Sequence, residues 1–242
     1  MVRDMVPADA GWAAELMNQR RQVYASYSPV FWRPARDATG PHAAYLSTLI
    51  GPANWLSLRT DHGFMLGRIG PAKTFVDDFA VSEPSRWSTD GSALVLAAAQ
   101  RLADAGRDHV MLVVTANADT AKVSMLRELS LSLVEQWWVH EVEPTGQPAE
   151  HGQVQRPGFA GFFGSAPPVY DPGGPVLHVD RAQDGVDLAT MEREAASMGA
   201  VLLVLPATPG TGRAGELQRR GWTVASDWYQ GRPVMSGIHR DS

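Results

Sequence analysis

The sequence predicts an α/β chain in which strands and helices alternate over the first 145 residues and part of the pattern returns near the end. Three observations carry that prediction. Residues 109–115, HVMLVVT, form a near-continuous β-branched and apolar run, as expected for a central strand covered on both faces. Residues 74–94 read as an apolar strand (Phe75, Val76, Phe79, Ala80, Val81), a polar loop with Pro84, Arg86 and Gly91, and then the opening of a helix. Residues 126–138 align without gaps onto residues 217–229, with Trp137-Trp138 opposite Trp228-Tyr229, which marks an incomplete internal repeat.

The elements follow in order. Residues 2–6 make a short apolar strand, and Pro7-Ala8-Asp9-Ala10 offers a cap for a helix running to about residue 27, with Trp12, Leu16, Met17 and Val23 on its apolar side. Residues 27–34 are too rich in aromatics and prolines for a regular helix. A second helix over 42–49 ends at Gly51-Pro52, and strands 54–59 and 64–69 are joined by a hairpin turn at Thr60-Asp61-His62-Gly63. A helix over 93–105 places Leu94, Ala98, Leu102 and Ala105 on one side and stops at Gly106. After strand 109–115, a capping turn at 116–120 leads into a helix that carries Met125, Leu126 and Leu129 inward, and residues 133–142 form a strand. Residues 143–174 shift to proline and glycine and read as a linker. Order returns with strand 175–179, helix 188–198, strand 201–205, helix 213–220 stopped by Gly221, and a last strand over 222–229. The expected division is therefore a first domain over 1–145, a linker over 146–174 and a truncated half repeat over 175–242.

Composition narrows the function. The chain has 242 residues, 44% of them apolar, and a formal net charge of -5, so there is no basic surface for nucleic acid. No run approaches the roughly 18 apolar residues needed to span a bilayer, and the opening MVRDMVPADAG lacks the apolar core of a signal peptide. The expectation is a cytoplasmic protein with no membrane contact. The absence of cysteine removes disulfides, thiolate nucleophiles and cysteine zinc sites. The histidines show no metal-ligand spacing, no serine lies in a nucleophile-elbow pattern, and no metal is expected. Lys73 and Lys122 are the only lysines, and sequence alone attaches no function to them.

A strand that feeds a loop opening a helix gathers backbone N–H groups and the positive end of a helix dipole at one point, which suits a phosphate. Asp78-Phe79-Ala80-Val81, Pro84 and the run Arg86 to Gly91 resemble the acyl-CoA signature [QR]-x-x-G-x-[GA] of the GNAT acyltransferase superfamily, with Thr89 at the first glycine position. The order of elements over residues 1–145 is similar to the GNAT core. The resemblance implies a mixed, mainly antiparallel, twisted sheet flanked by helices, followed by a partial repeat. It also implies acetyl-CoA as co-substrate and N-acyl transfer by direct attack of a small amine or amino-acid-like acceptor, in a possible homodimer. Carried over by residue, Phe79, Ala80 and Val81 would hold the pantetheine arm and polarise the thioester. Arg86, Trp87, Ser88, Thr89, Gly91 and Ser92 would hold the pyrophosphate, with Asn117 as a second contact. Asp78 is the candidate base, with Glu83 as an alternative, and Tyr27, Phe31 and Trp32 are candidates for an aromatic acceptor pocket that would also draw on Tyr24, His42 and Tyr45.

Departures from the family pattern support a second reading, a degenerate GNAT-fold binding or regulatory module without turnover. Asp90 opposes a phosphate, and leucine stands at both positions, Leu126 and Leu217, where the family's acid tyrosine would fall. In the second copy, Asp180, Asp184 and Asp187 fill the corresponding loop and would repel a pyrophosphate by roughly 1 to 4 kcal/mol per charge. That copy is therefore expected to be structural.

Overall fold

The computed structural model describes residues 1–107, 110–183 and 185–234. The expected strand start at His109 and the loop residue Asp184 lie outside the described residues. The chain forms two compact units, one built from Met1–Arg20, Thr39–Val134 and residues 227–234, the other from Arg21–Ala38 and Glu135–Ser226.

In the first unit, β1 (Arg3–Asp4), β2 (Trp55–Arg59), β3 (Gly63–Ile69) and β4 (Lys73–Val81) are antiparallel neighbours, and β5 (Val110–Ala116) runs parallel to β4. Alternation along the strands sorts side chains to two faces. Phe64, Leu66 and Ala80 bury against α1 (Ala10–Ala25) and α2 (Thr39–Leu49), through Ala13, Ala14, Met17 and Leu46. Met65, Phe79 and Val81 join the other core, with Leu94, Val95 and Ala98 of α3 (Ser92–Asp104) and Met125 and Leu126 of α4 (Thr120–Glu128). Tyr229, from β11 (Thr223–Gly231) near the end of the chain, is fully buried in that same core.

In the second unit the strand order runs from β6 (Ser132–Glu141) through β10 (Leu202–Ala207), β9 (Val176–Ala182) and β8 (Phe159–Gly164) to β7 (Gly152–Arg156). Among the pairings of the described residues from β6 to β7, the β9–β10 pair is the parallel one. The helices α5 (Leu188–Ser197) and α6 (Gly212–Arg219) bury Leu188, Met191, Ala195 and Leu217 against Leu177, Val179, Leu203 and Leu205. In both units the sheet is mixed and mainly antiparallel, as the resemblance implies. No helix among the described residues is long and apolar enough to cross a membrane.

Two expectations change. The segment read as a linker holds the β7–β8 hairpin, with a register shift at Gly161, where an added Cβ would fall 2.1 Å from the His178 carbonyl oxygen. Gly161 therefore serves a bulge and close strand approach rather than a flexible connection. The recurring pattern also starts earlier than residue 175: β7-β8-β9-α5-β10-α6-β11 follows the same order as β2-β3-β4-α3-β5-α4-β6. Matched stops share a left-handed backbone, with φ of 68° at Gly106 and 80° at Gly199, and 64° at Ser130 and 81° at Gly221. Each unit is completed by a strand from the other half of the sequence, residues 227–231 of β11 in the first and residues 135–141 of β6 in the second.

Candidate functional site

The parallel pairs are where each sheet opens. β4 and β5 stay in register from Lys73 opposite Val110 to Val76 opposite Val113, after which no further pairs form although both strands continue. Lys122, on the first turn of α4, fills the gap. Its Nζ donates to the Val114 carbonyl at 2.8 Å and to the Phe79 carbonyl at 3.3 Å. It also stands 4.9 Å and 5.1 Å from the ring centroids of Phe79 and Trp87. Burial pushes this ammonium down to about 8, against the opposing influence of the Asp119 and Asp77 carboxylates. Asp119 caps α4 by accepting from the Lys122 N–H at 3.3 Å and is paired with the buried Arg20 at 2.6 Å.

The predicted phosphate loop is wound into two turns. Residues Pro84–Arg86 wind into a 3₁₀ turn and Trp87–Gly91 into a π turn that runs directly into α3. The Arg86 N–H donates to Glu83, the Trp87 N–H to Pro84, and the Ser92 N–H to Thr89 and Trp87. The hydroxyls of Ser88 and Thr89 turn back onto the carbonyls of Ser85 and Arg86. The Trp87 ring is fully buried, edge-on to Phe79 at 4.8 Å. A Cβ on Gly91 would fall 2.7 Å from Trp87 Cε3, and φ at Gly91 is -60°, so this glycine makes room for the indole and supplies no special backbone angle. The Arg86 side chain lies between Glu83 at 3.7 Å and Asp90 at 3.8 Å.

The other expected residues scatter. Asn117 donates to Asp227 at 3.0 Å. Asp78 is paired with the buried His42 of α2, Nε2 to Oδ1 at 2.9 Å, and His42 stacks on Tyr45. Phe31 and Trp32 belong to the second unit: the Trp32 indole donates to the Ala225 carbonyl at 2.9 Å and packs on Tyr170, while Phe31 meets Trp137 edge-on. Tyr27 is exposed. The loop that carries these three rings is held in the second unit's core and by the Ala35 N–H bond to the Val169 carbonyl.

The second unit repeats the opening with a different outcome. β9 and β10 pair from Val176 opposite Leu202 to His178 opposite Val204, and then separate. A cavity of about 620 Å³ lies there, lined among others by Arg156, Asp180, Arg181 and Leu205. A second cavity, of about 660 Å³, shares Ala182 and residues 205–208 with it and extends to Arg213 and Glu216. Asp180 holds the His178 Nδ1 at 3.1 Å. The N-terminus of α5 is occupied by its own residue Asp187, whose carboxylate accepts from the Ala189 and Thr190 N–H groups at 3.1 Å each. The Thr190 hydroxyl and these N–H groups hold it below the usual carboxylate range. Among the described residues no group of acidic or histidine side chains is placed to hold a metal ion.

Sequence reasoning missed Lys122, Arg20 and the His–Asp pairing. The one available signal was that Lys122 is one of two lysines in a chain whose other basic residues are arginine.

The elements define an α/β protein whose parallel strand pairs part midway, and the comparisons agree. No protein-family model matches the chain, and no curated protein matches it in sequence. Among solved structures, a Thermoplasma acidophilum protein named as an acetyltransferase is similar with a TM-score of 0.61 at 10% identity, over 96% of this chain and 99% of its own. A GCN5-related N-acetyltransferase from Sphaerobacter thermophilus gives 0.58 at 13%, over 96% and 95%. A Pyrococcus horikoshii protein, also named as an acetyltransferase, gives 0.50 at 12%, over 97% and 90%. The chain therefore has the GNAT fold over nearly its whole length.

Proposed function

We propose that the protein is an acyl-CoA-dependent N-acyltransferase, moving an acetyl group from acetyl-CoA to a small amine or amino-acid-like acceptor. The observation that carries this reading is the GNAT fold with parallel strands that separate partway, because separated strands expose backbone groups to an extended thioester-bearing arm. Backbone N–H groups at such an edge polarise the thioester carbonyl as the amine attacks it. The new C–N bond forms, the C–S bond breaks, and the amine's proton passes to a carboxylate or imidazole at the edge. Both units place an aspartate paired with a histidine, Asp78 with His42 and Asp180 with His178, two residues beyond the last parallel pair. The thiolate leaves without the family's tyrosine, since Leu126 and Leu217 are both core residues. Loss of such an acid costs about 10²- to 10⁴-fold, and positioning of the reactants outweighs it.

The filling of the first unit's gap by Lys122 and Trp87 favours the second reading, a GNAT-fold module without turnover. Calorimetry with acetyl-CoA, coupled to release of free thiol over an amine panel, separates the two. Binding with turnover is expected. Tight binding with no thiol released from any amine would leave the module, and no heat at millimolar ligand would remove the transferase reading.

A further inference from the structure

Resting on the acyl-CoA reading, we propose that the donor's pantetheine arm enters the second unit, between β9 and β10, and not the first, where the signature-like segment lies. Pantetheine is an extended chain with two amide groups, which can pair with the free edges of two parted strands when nothing lies between them.

One matched pair of residues sets the two strand gaps apart. The gapless alignment of Leu126 with Leu217 sets Lys122 opposite Arg213. Lys122 reaches into the gap between β4 and β5 and takes the carbonyls of both strands. Arg213 turns instead to the loop that follows β9, donating to the carbonyls of Gln183 at 3.0 Å and Val186 at 3.2 Å and pairing with Glu216 at 3.1 Å. The gap between β9 and β10 is left to the two adjoining cavities, which share Ala182 and residues 205–208.

The surroundings of the cleft refine the ligand. With the Asp187 carboxylate capping α5, a diphosphate does not sit on that helix end. Arg181, an exposed cavity residue, is the cation placed to meet it instead. Arg156, on the same cavity, is already paired with Glu194 at 3.0 Å.

The test is calorimetry of acetyl-CoA with the full chain and three variants. Ala182→Trp fills both cavities from a residue they share, Arg181→Glu reverses the exposed cation, and Ser85→Glu adds a charge to the first unit's turn. We expect the first two to weaken binding by about tenfold or more and Ser85→Glu to change it less than about twofold. If Ala182→Trp loses its circular dichroism signal, Arg181→Glu, at an exposed site, decides the matter. Weakening by Ser85→Glu alone would move the site to the first unit and overturn the inference while the acyl-CoA reading stood. Absence of binding by the unaltered protein would overturn that reading and this one with it.

Discussion

Lys122 is the residue on which the first unit's chemistry turns. A buried ammonium is tolerable only when its hydration is replaced, and here two carbonyls and two aromatic faces replace it. The replacement is incomplete, since burial lowers the group from 10.5 to about 8. Between those values the unfolded chain binds more protons at this site than the folded one, so stability rises with pH through the window from about 8 to about 10.5. Below pH 8 the full cost of burying the charge is present; above 10.5 it is gone. The gain is on the order of 3 kcal/mol. Urea midpoints at pH 7.5, 9 and 10.5 for the protein and for Lys122→Met check this. The stability of the unaltered protein relative to the variant is expected to climb across the series, and a flat difference would mean that Lys122 titrates as an ordinary surface lysine.

At the scale of the element, the turn between β4 and α3 shows how a motif can persist in sequence while its geometry serves packing. The pattern from Arg86 to Gly91 was legible, and so was the strand-loop-helix frame around it. The side-chain roles were not, because they depend on Trp87 turning inward against Phe79, a residue eight positions away on another element. Gly91→Ala is expected to lower stability by about 1 to 3 kcal/mol through overpacking against the indole. Replacing Trp87 with Leu in the same chain should recover much of that loss, a coupling that a double-mutant cycle measures. A neutral Gly91→Ala would show that the ring does not rest on this glycine. Asp119 shows the same dependence in another form. Its role as a helix cap could be read from the turn Asn117-Ala118-Asp119-Thr120, but its pairing with Arg20, 99 residues away in sequence, could not.

At the scale of the whole molecule, the two halves of the sequence are not the two units of the fold. The first unit's core includes Tyr229 beside Met125, Leu126, Leu129 and Leu131. A chain cut after residue 145 retains every element of the predicted first domain and loses this residue. Burial of one large side chain contributes roughly 1.5 to 3 kcal/mol, a sizeable part of the about 5 to 15 kcal/mol that holds a domain folded. The shortened chain is therefore expected to unfold at a clearly lower urea concentration than the full chain. An unchanged midpoint would show that residues 227–231 are dispensable to the first unit.

The sequence by itself determined the elements and their order. Helical and strand periodicity, Gly106 and Gly221 as stops, and the β-branched run ending at Thr115 are local signals, and the helices and strands they predict stand within a few residues of those in the fold, leading to the GNAT resemblance. Only the tertiary structure decided that residues 146–174 add a hairpin, that β11 serves the first unit and β6 the second, that Phe31 packs on Trp137 and Trp32 on Tyr170, and that Lys122 closes one strand gap while Arg213 turns away from the other. Strand pairing and burial are settled by residues far apart along the chain competing for the same edge or the same space, and a one-dimensional pattern carries no record of which of them wins.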